Sequence, residues 1–441
     1  MQPTPPWRAL PVVLAGAFLV TLDFFIVNVA IPSTQTELGA GADTVQWWVA
    51  GYGLAFAALL ITAGRLGDRF GRRRAFAGAL AAFTAASAAC GLAPSGEALI
   101  VARVIQGAAG AMLLPQVLSI IGVSFTGDAR VRAFVFYALT QGLAAVGGQL
   151  IGGALVEAAG WRSCFFVNVP VGIAALAFVR MVPESRAPGR TRFDLTGVAL
   201  VTGGLVGVVL PLVQGRAQGW PLWTWVCLAA GLELLVTFAW QQRRLAARGG
   251  APLIPPALFA ESGFTLGMVT VAIFYAGVAS FFLVLALHMQ EAEGLSALRS
   301  GALFAIMGGG YLLTSFTGPK LGRPGLVAGG AVLALGFAAF AESRALGLLV
   351  CGLGLGMVMG PLLTSVLAGM RPETAGAATG VLATAQQVGN AVGVAVVGIV
   401  YYDGGGWNAS LEYLAACALA TAALLGWAAR PMRPSVAPAA G

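Results

Sequence analysis

Apolar runs of about twenty residues, separated by short polar segments, repeat along the whole chain. Fourteen of them lie near 11–31, 46–64, 75–92, 97–119, 134–156, 164–182, 195–214, 222–240, 264–287, 300–318, 325–341, 345–368, 376–401 and 411–429. A helix needs about 20 mostly apolar residues to cross the hydrocarbon core of a bilayer. The pattern therefore predicts an all-α polytopic membrane protein with fourteen transmembrane helices. It is weakest in the short eleventh run and at the ends of the seventh and eighth.

Composition agrees with that picture. The chain of 441 residues is 58% hydrophobic and 10% charged, against about 25% charged in a typical soluble domain. The net charge of +8 suggests a nucleic-acid partner until the basic residues are placed along the spans. Threading the chain with its N-terminus inside puts twenty of the 25 Lys and Arg on the inner side. Only Arg162, Arg216, Arg299 and Arg344 fall outside, and Arg103 lies within the fourth span. This is the positive-inside bias of a membrane protein with both termini cytoplasmic, and it removes the case for nucleic acid. Trp47, Trp48, Trp161, Trp220, Trp223 and Trp407 fall at outer span ends, Trp240 and Trp427 at inner ones, as interfacial belts require. The five cysteines are scattered with no C-x-x-C spacing, so neither a metal site nor a disulfide framework is expected. The first span exceeds a signal-peptide core and carries Asp23 and Asn28, so it is expected to be retained.

Polar, proline-containing inner segments divide the chain into 1–192, a two-helix insert 193–250, and 251–441. The most polar point is Gly64-Arg65-Leu66-Gly67-Asp68-Arg69-Phe70-Gly71-Arg72-Arg73-Arg74. A cluster this polar cannot sit in hydrocarbon, so it is expected to form a short loop at one membrane face. Its glycine, aspartate and arginine spacing resembles the loop between the second and third spans of major facilitator superfamily transporters. Further segments carry the same resemblance. They are Leu22-Asp23-Phe24-Phe25-Ile26-Val27-Asn28-Val29-Ala30-Ile31-Pro32, Arg103 to Gly110, Gly160-Trp161-Arg162 with Phe166-Val167-Asn168-Val169-Pro170, and Gly148-Gln149-Leu150-Ile151-Gly152-Gly153. In the last of these, Gln149 stands where the antiporter motif has proline. Gly318-Pro319-Lys320-Leu321-Gly322-Arg323 is a weak echo of the first-half loop. The resemblance implies two six-helix bundles related by an axis along the membrane normal. The extra central pair points to the fourteen-span drug:proton antiporter branch.

Asp23 and Arg103 are the candidate proton-coupling pair. A carboxylate near a helix centre costs about 2.5–3.5 kcal/mol on insertion scales. Asp23 lies roughly 12 Å from the outer end of its span and Arg103 roughly 9 Å from the outer end of the fourth, at 1.5 Å per residue, so contact is possible. A static ion pair that only fixes helix packing is the competing reading. Glu233, in the insert, is the rival proton carrier, against a merely local polar contact. The resemblance implies a cytoplasmic gate made of Gly64, Gly67, Asp68, Arg69, Gly71, Arg72 and Arg73, which latches the two bundles. Candidate cavity residues are Phe24, Phe25, Asn28, Tyr52, Gln106, Tyr137, Gln141, Gln149, Tyr275, Gln386 and Asn390, although some of these amides could equally bridge helices.

Lys320, the single lysine, is followed by leucine and forms no Walker loop, and Gly352-x-Gly354-x-Gly356 sits in an apolar run, where close helix packing explains it better than a nucleotide. His288 has no nucleophile or metal-ligand spacing near it. No catalytic acid–base cluster marks a membrane enzyme, and no loop is long enough for a soluble catalytic domain or a receptor's partners. The resemblance implies a proton-driven exporter of small amphipathic or cationic compounds in a bacterial cytoplasmic membrane, without cofactor or metal, working as a monomer. Its partners are then a small-molecule substrate, protons and the lipid bilayer. Export or import of an endogenous metabolite is the alternative.

Overall fold

The computed structural model describes residues 6–186, 194–215, 218–261, 263–315, 317, 321–367, 375–403 and 405–428. Fourteen principal helices run through them: α1 (Leu10–Leu38), α2 (Ala42–Phe70), α3 (Arg72–Gly91), α4 (Gly96–Ser124), α5 (Gly127–Ala159), α6 (Asn168–Ala177), α7 (Leu195–Gln214), α8 (Leu222–Ala247), α9 (Phe264–Leu287), α10 (Ala297–Ser315), α11 (Gly322–Ala339), α12 (Arg344–Leu367), α13 (Ala375–Asp403) and α14 (Gly406–Ala428). Ten of them, α1, α4, α5, α7, α8, α9 and α11 to α14, are long and apolar enough to cross a membrane. Shorter apolar stretches occupy Trp47–Leu60 in α2 and Ser163–Ala177 around α6. In hydrocarbon every backbone amide must be bonded within its own segment, and the helix is the element that does this. The chain is a multi-pass membrane protein.

Helix α1 packs on α4 and α5, α2 on α4, and α3 on α4 and α6. In the second half α9 packs on α13 and α14, α10 on α12, and α11 on α12 and α14. Glycines permit the closest crossings. A Cβ on Gly148 would fall 2.9 Å from the Phe25 Cβ, and one on Gly301 would fall 2.6 Å from the Gln149 carbonyl oxygen. The first contact joins α5 to α1 of its own half, and the second joins it to α10 of the other, so α5 is held between α1 and α10. Gly352 faces Met307 of α10 and Gly354 faces Leu333 of α11, as the packing reading of that glycine run expects.

The halves meet along two seams, α5 with α10 and α2 with α13. At the first seam the Leu298 amide donates to Glu157 at 3.3 Å. Helices α7 and α8 form a hairpin whose α7 lies on α2 and α13, with the Thr202 hydroxyl donating to the Ala58 carbonyl at 3.0 Å.

Two expectations need correction. Gly64 to Phe70 is the end of α2 rather than a loop, and Gly71 alone makes the turn into α3, with φ +99°. Glycine adopts that backbone without the Cβ clash other residues suffer. The fifth helix starts at Gly127, not near 134, because a helix carrying Arg130 and Arg132 can extend beyond hydrocarbon into water. The Gly318–Lys320 part of the second-half echo lies outside the described residues.

Candidate functional site: a buried charge network beside an aromatic cavity

Four helices of the first half converge on Asp23, whose side chain is fully buried. Its Oδ2 accepts from Arg103 Nη1 at 2.5 Å. Its Oδ1 accepts from Gln106 Nε2 at 2.8 Å and from Asn168 Nδ2 at 2.9 Å. Those two amides also donate to the Ser87 hydroxyl, at 2.6 and 3.0 Å, which closes a ring of four groups from α1, α4, α6 and α3. Arg103 and Gln106 stand three residues apart on α4 and therefore share a face. Arg103 Nη1 donates further to Gln106 Oε1 at 2.6 Å, and Nε to the Trp48 carbonyl at 3.0 Å. Its guanidinium lies over the Tyr52 ring at 4.2 Å from the centroid.

This arrangement satisfies both charges. Isolated ions in a low-dielectric interior cost many kcal/mol, and pairing with added hydrogen bonds offsets that cost. The same bonds link protonation to helix position. A proton on Asp23 cancels the attraction to Arg103 and turns an acceptor oxygen into a donor, so donors contributed by α4 and α6 must move.

Two residues along α1, Phe25 faces the other way. At about 100° per residue, Asp23 and Phe25 project from nearly opposite sides of the helix. Phe25 meets Phe282 of α9 with ring centroids 4.7 Å apart, and Phe282 lies parallel to Phe304 of α10 at 5.6 Å and 6°. Together with Val146, Gln149, Met307, Tyr311 and Met359 they enclose a cavity of about 30 Å³ between the halves.

The expected cavity residues divide into groups. Phe25 and Gln149 line that space, and Phe24 packs edge-on against Phe25. Tyr275 lies near both Tyr137 and Tyr311. Tyr52 and Gln106 belong instead to the Asp23 network. Asn28 donates to the Phe24 carbonyl at 3.3 Å, and Gln141 accepts from Thr21 at 2.7 Å. Asn390 donates to Gln387 at 2.7 Å, while Gln386 is half-buried. Glu233 is not brought into the Asp23 network; it is exposed on α8, a helix that packs chiefly on α7. Sequence reading missed Ser87, Phe282, Phe304, Met307 and Tyr311; Asn168, quoted above only within the Phe166–Pro170 motif, donates to Asp23.

At the α2–α3 turn, the described contacts run to the segment after α6. The Arg72 amide donates to the Ser185 carbonyl at 2.9 Å, and the Arg73 amide to Glu184 Oε1 at 3.1 Å. The Arg73 and Arg74 side chains reach Glu184 at 3.7 and 3.9 Å. A carboxylate at the N-terminus of α3 is favourable for the helix dipole. Gln116 donates to the Ala63 carbonyl at 2.8 Å and packs over Gly67. Arg69 is exposed. The surroundings of Gly64 and the Asp68 side chain lie outside what is described. Among the described residues no group of three His, Cys, Asp or Glu could hold a metal ion.

Known proteins give the geometry its context. The profile of the Major Facilitator Superfamily matches residues 13–394. A relative from Streptomyces coelicolor, named "Probable actinorhodin transporter", is 40% identical over 90% of this chain and 72% of its own length. The cephamycin export protein CmcT of Amycolatopsis lactamdurans is 37% identical, over 88% and 84%. The puromycin resistance protein of Streptomyces alboniger is 36% identical, over 89% and 81%. Among solved structures, the POT family transporter PepTSo aligns with TM-score 0.70 at 14% identity, covering 97% of this chain and 98% of its own. The human organic anion transporter MFSD10 aligns with TM-score 0.67 at 18%, covering 96% and 100%. These relatives and this fold are those of transporters and not of enzymes. The chain belongs to the Major Facilitator Superfamily, as a membrane transporter similar to antibiotic and drug exporters.

Proposed function

We propose that the protein is a proton-coupled secondary transporter that exports small amphipathic organic compounds across a bacterial cytoplasmic membrane by alternating access. In this reading all fourteen helices span the bilayer, both termini are cytoplasmic, and the proton gradient is the only energy source. The α5–α10 and α2–α13 seams part and close in alternation around the Phe25–Phe282 cavity.

The observation that carries the reading is the placement of Asp23 and Phe25 on opposite sides of α1. One side of that helix holds the intramembrane acid with its guanidinium partner, and the other forms a wall of the cavity between the halves. A proton arriving at Asp23 frees α1 from Arg103, and the shift that follows alters the cavity wall without contact between proton and cargo. Names of relatives that export cephamycin or tetracenomycin support an outward direction and an organic cargo.

Proteoliposomes containing the Asp23→Asn variant should bind cargo but fail to move it uphill under an imposed pH gradient, with folding checked by thermal unfolding. Full uphill transport by that variant would remove Asp23 from energisation.

A further inference from the structure

Gln149 of α5 is a carboxamide buried at the seam. It is 1% exposed, it lines the cavity between the halves, and neither its Oε1 nor its Nε2 meets a hydrogen-bond partner in the protein. Its neighbours Gly148 and Gly152 press α5 against α1, and its own carbonyl oxygen is covered by Gly301 of α10. The amide is thus held on a rigid backbone at the joint that alternating access would open. Burying an unpaired carboxamide is costly, whereas an apolar side chain of the same size would fill this position at less cost. A polar group kept under those conditions has a use for its donor and acceptor.

The walls around it decide what that use is. Phe25, Phe282, Phe304 and Met307 present apolar faces, with Phe282 and Phe304 parallel. No lining residue of this cavity carries a charge, and the nearby carboxylate, Asp23, is sealed behind α1 by Arg103, Gln106 and Asn168. A permanent cation entering this space would lose its hydration and meet no anion. A flat neutral ring would stack on the phenylalanines and present its polar edge to the amide.

We infer that Gln149 is the specificity-determining residue of the cargo site, and that it reads neutral planar aromatic compounds carrying a hydrogen-bond donor and acceptor side by side, as in a lactam, a carboxamide or a hydroxy-carbonyl pair. The two bonds run from the substrate donor to Gln149 Oε1 and from Gln149 Nε2 to the substrate acceptor. The closed space of about 30 Å³ has room for a water between turnovers; separation of α5 from α10 widens it for a ring system. The inference rests on the proposed transport reading and narrows its cargo. It also implies that each proton exchanged for a neutral molecule carries net charge inward, so that membrane potential as well as pH drives export.

The test uses the full-length protein in lipid nanodiscs, titrated calorimetrically with three probes of one ring system. 2-Quinolone has N–H and C=O side by side, 1-methyl-2-quinolone keeps only the C=O, and 1-methylquinolinium is a fixed cation. 2-Quinolone should bind about tenfold or more tightly than either analogue. Gln149→Leu should bind the first two equally while unfolding at an unchanged or higher temperature, because the unpaired amide is gone. Gln149→Asn, with an amide too short to reach the ring, should lose the preference as well. Retained discrimination in Gln149→Leu, strongest binding of the cation, failure of all three probes to bind, or a lowered unfolding temperature in Gln149→Leu would each overturn the assignment. Binding is read without a gradient, so the two proposals fail separately. Gln149-dependent discrimination without any proton-driven 2-quinolone flux keeps the recognition site and rejects the transport reading; flux without Gln149-dependent discrimination does the reverse.

Discussion

The two halves of this transporter divide their chemistry unequally. In the first, four helices contribute Asp23, Arg103, Gln106, Ser87 and Asn168 to one closed polar ring. In the second, the core is aromatic and aliphatic, built on Phe274, Phe281, Phe282, Phe304 and Phe337, and no charged side chain is among its described buried residues. A polar ring is brittle, since losing one member strands its neighbours. An apolar wall is tolerant, since one hydrophobic side chain can stand in for another. Under the proposed reading, placing the titratable group in the brittle half makes a single proton mechanically consequential, and the apolar half beside the cavity offers flat faces to an aromatic cargo.

Breaking the ring should have the largest effect. Arg103→Met leaves Asp23 buried without its counter-ion, at a cost of about 3–5 kcal/mol. Denaturation should show that loss, and the double variant Asp23→Asn, Arg103→Met should recover much of it. A double variant as unstable as Arg103→Met alone would mean that packing, not charge, dominates. Losing Asn168 is milder. Asn168→Ala removes one of three donors to Asp23, worth about 1.5–3 kcal/mol for a bond to a charged group, and calorimetry should detect it.

The seam comes next. Gly301→Val places a side chain against the Gln149 carbonyl, 2.6 Å from an added Cβ, and should cost about 1–3 kcal/mol. Faster amide hydrogen exchange confined to α5 and α10 would confirm where the strain falls. In the tolerant half, Phe304→Leu keeps an apolar wall and should cost about 1–2 kcal/mol, well under the roughly 3–5 kcal/mol of a Phe→Ala truncation, with aromatic cargo bound more weakly. A collapse in stability there would contradict the contrast between the halves.

The smallest effect concerns His288, beyond the end of α9. It stacks on Trp407 with centroids 4.2 Å apart, lies 3.2 Å from Glu293, and faces Arg344 through that same carboxylate. Partial burial pulls its imidazole below the usual range; Glu293 opposes that pull and Arg344 adds to it. The folded protein then binds fewer protons here than the unfolded chain, so this contribution is present above about pH 6.5 and is lost as pH falls through the lowered value. His288→Gln should flatten that slight acid dependence of the unfolding temperature.

Helices and their order were readable from the chain because hydrocarbon leaves a segment no other way to satisfy its backbone. The Asp23–Arg103 contact was legible from similar depths along two spans, a matter of counting residues. Glu233 marks the limit of such counting. Depth along a helix can be counted, but which side of α8 faces protein depends on neighbours that only the fold provides. The α2–α3 turn shows the same limit at short range. An arginine-rich stretch announces an interface with water, yet whether it is loop or helix turned on one glycine's φ angle.

The succession of apolar helices and the presence of an acid within the first of them were settled by the amino-acid order, since each follows from transferring single residues between water and lipid. Rotational placement was not. That Asp23 turns into a ring of amides while Phe25 turns to a cavity, and that Gln149 is left without a protein partner between two close-packed helices, depends on which surfaces meet. Those meetings are cooperative outcomes of packing many helices at once, and no local stretch of the chain contains them.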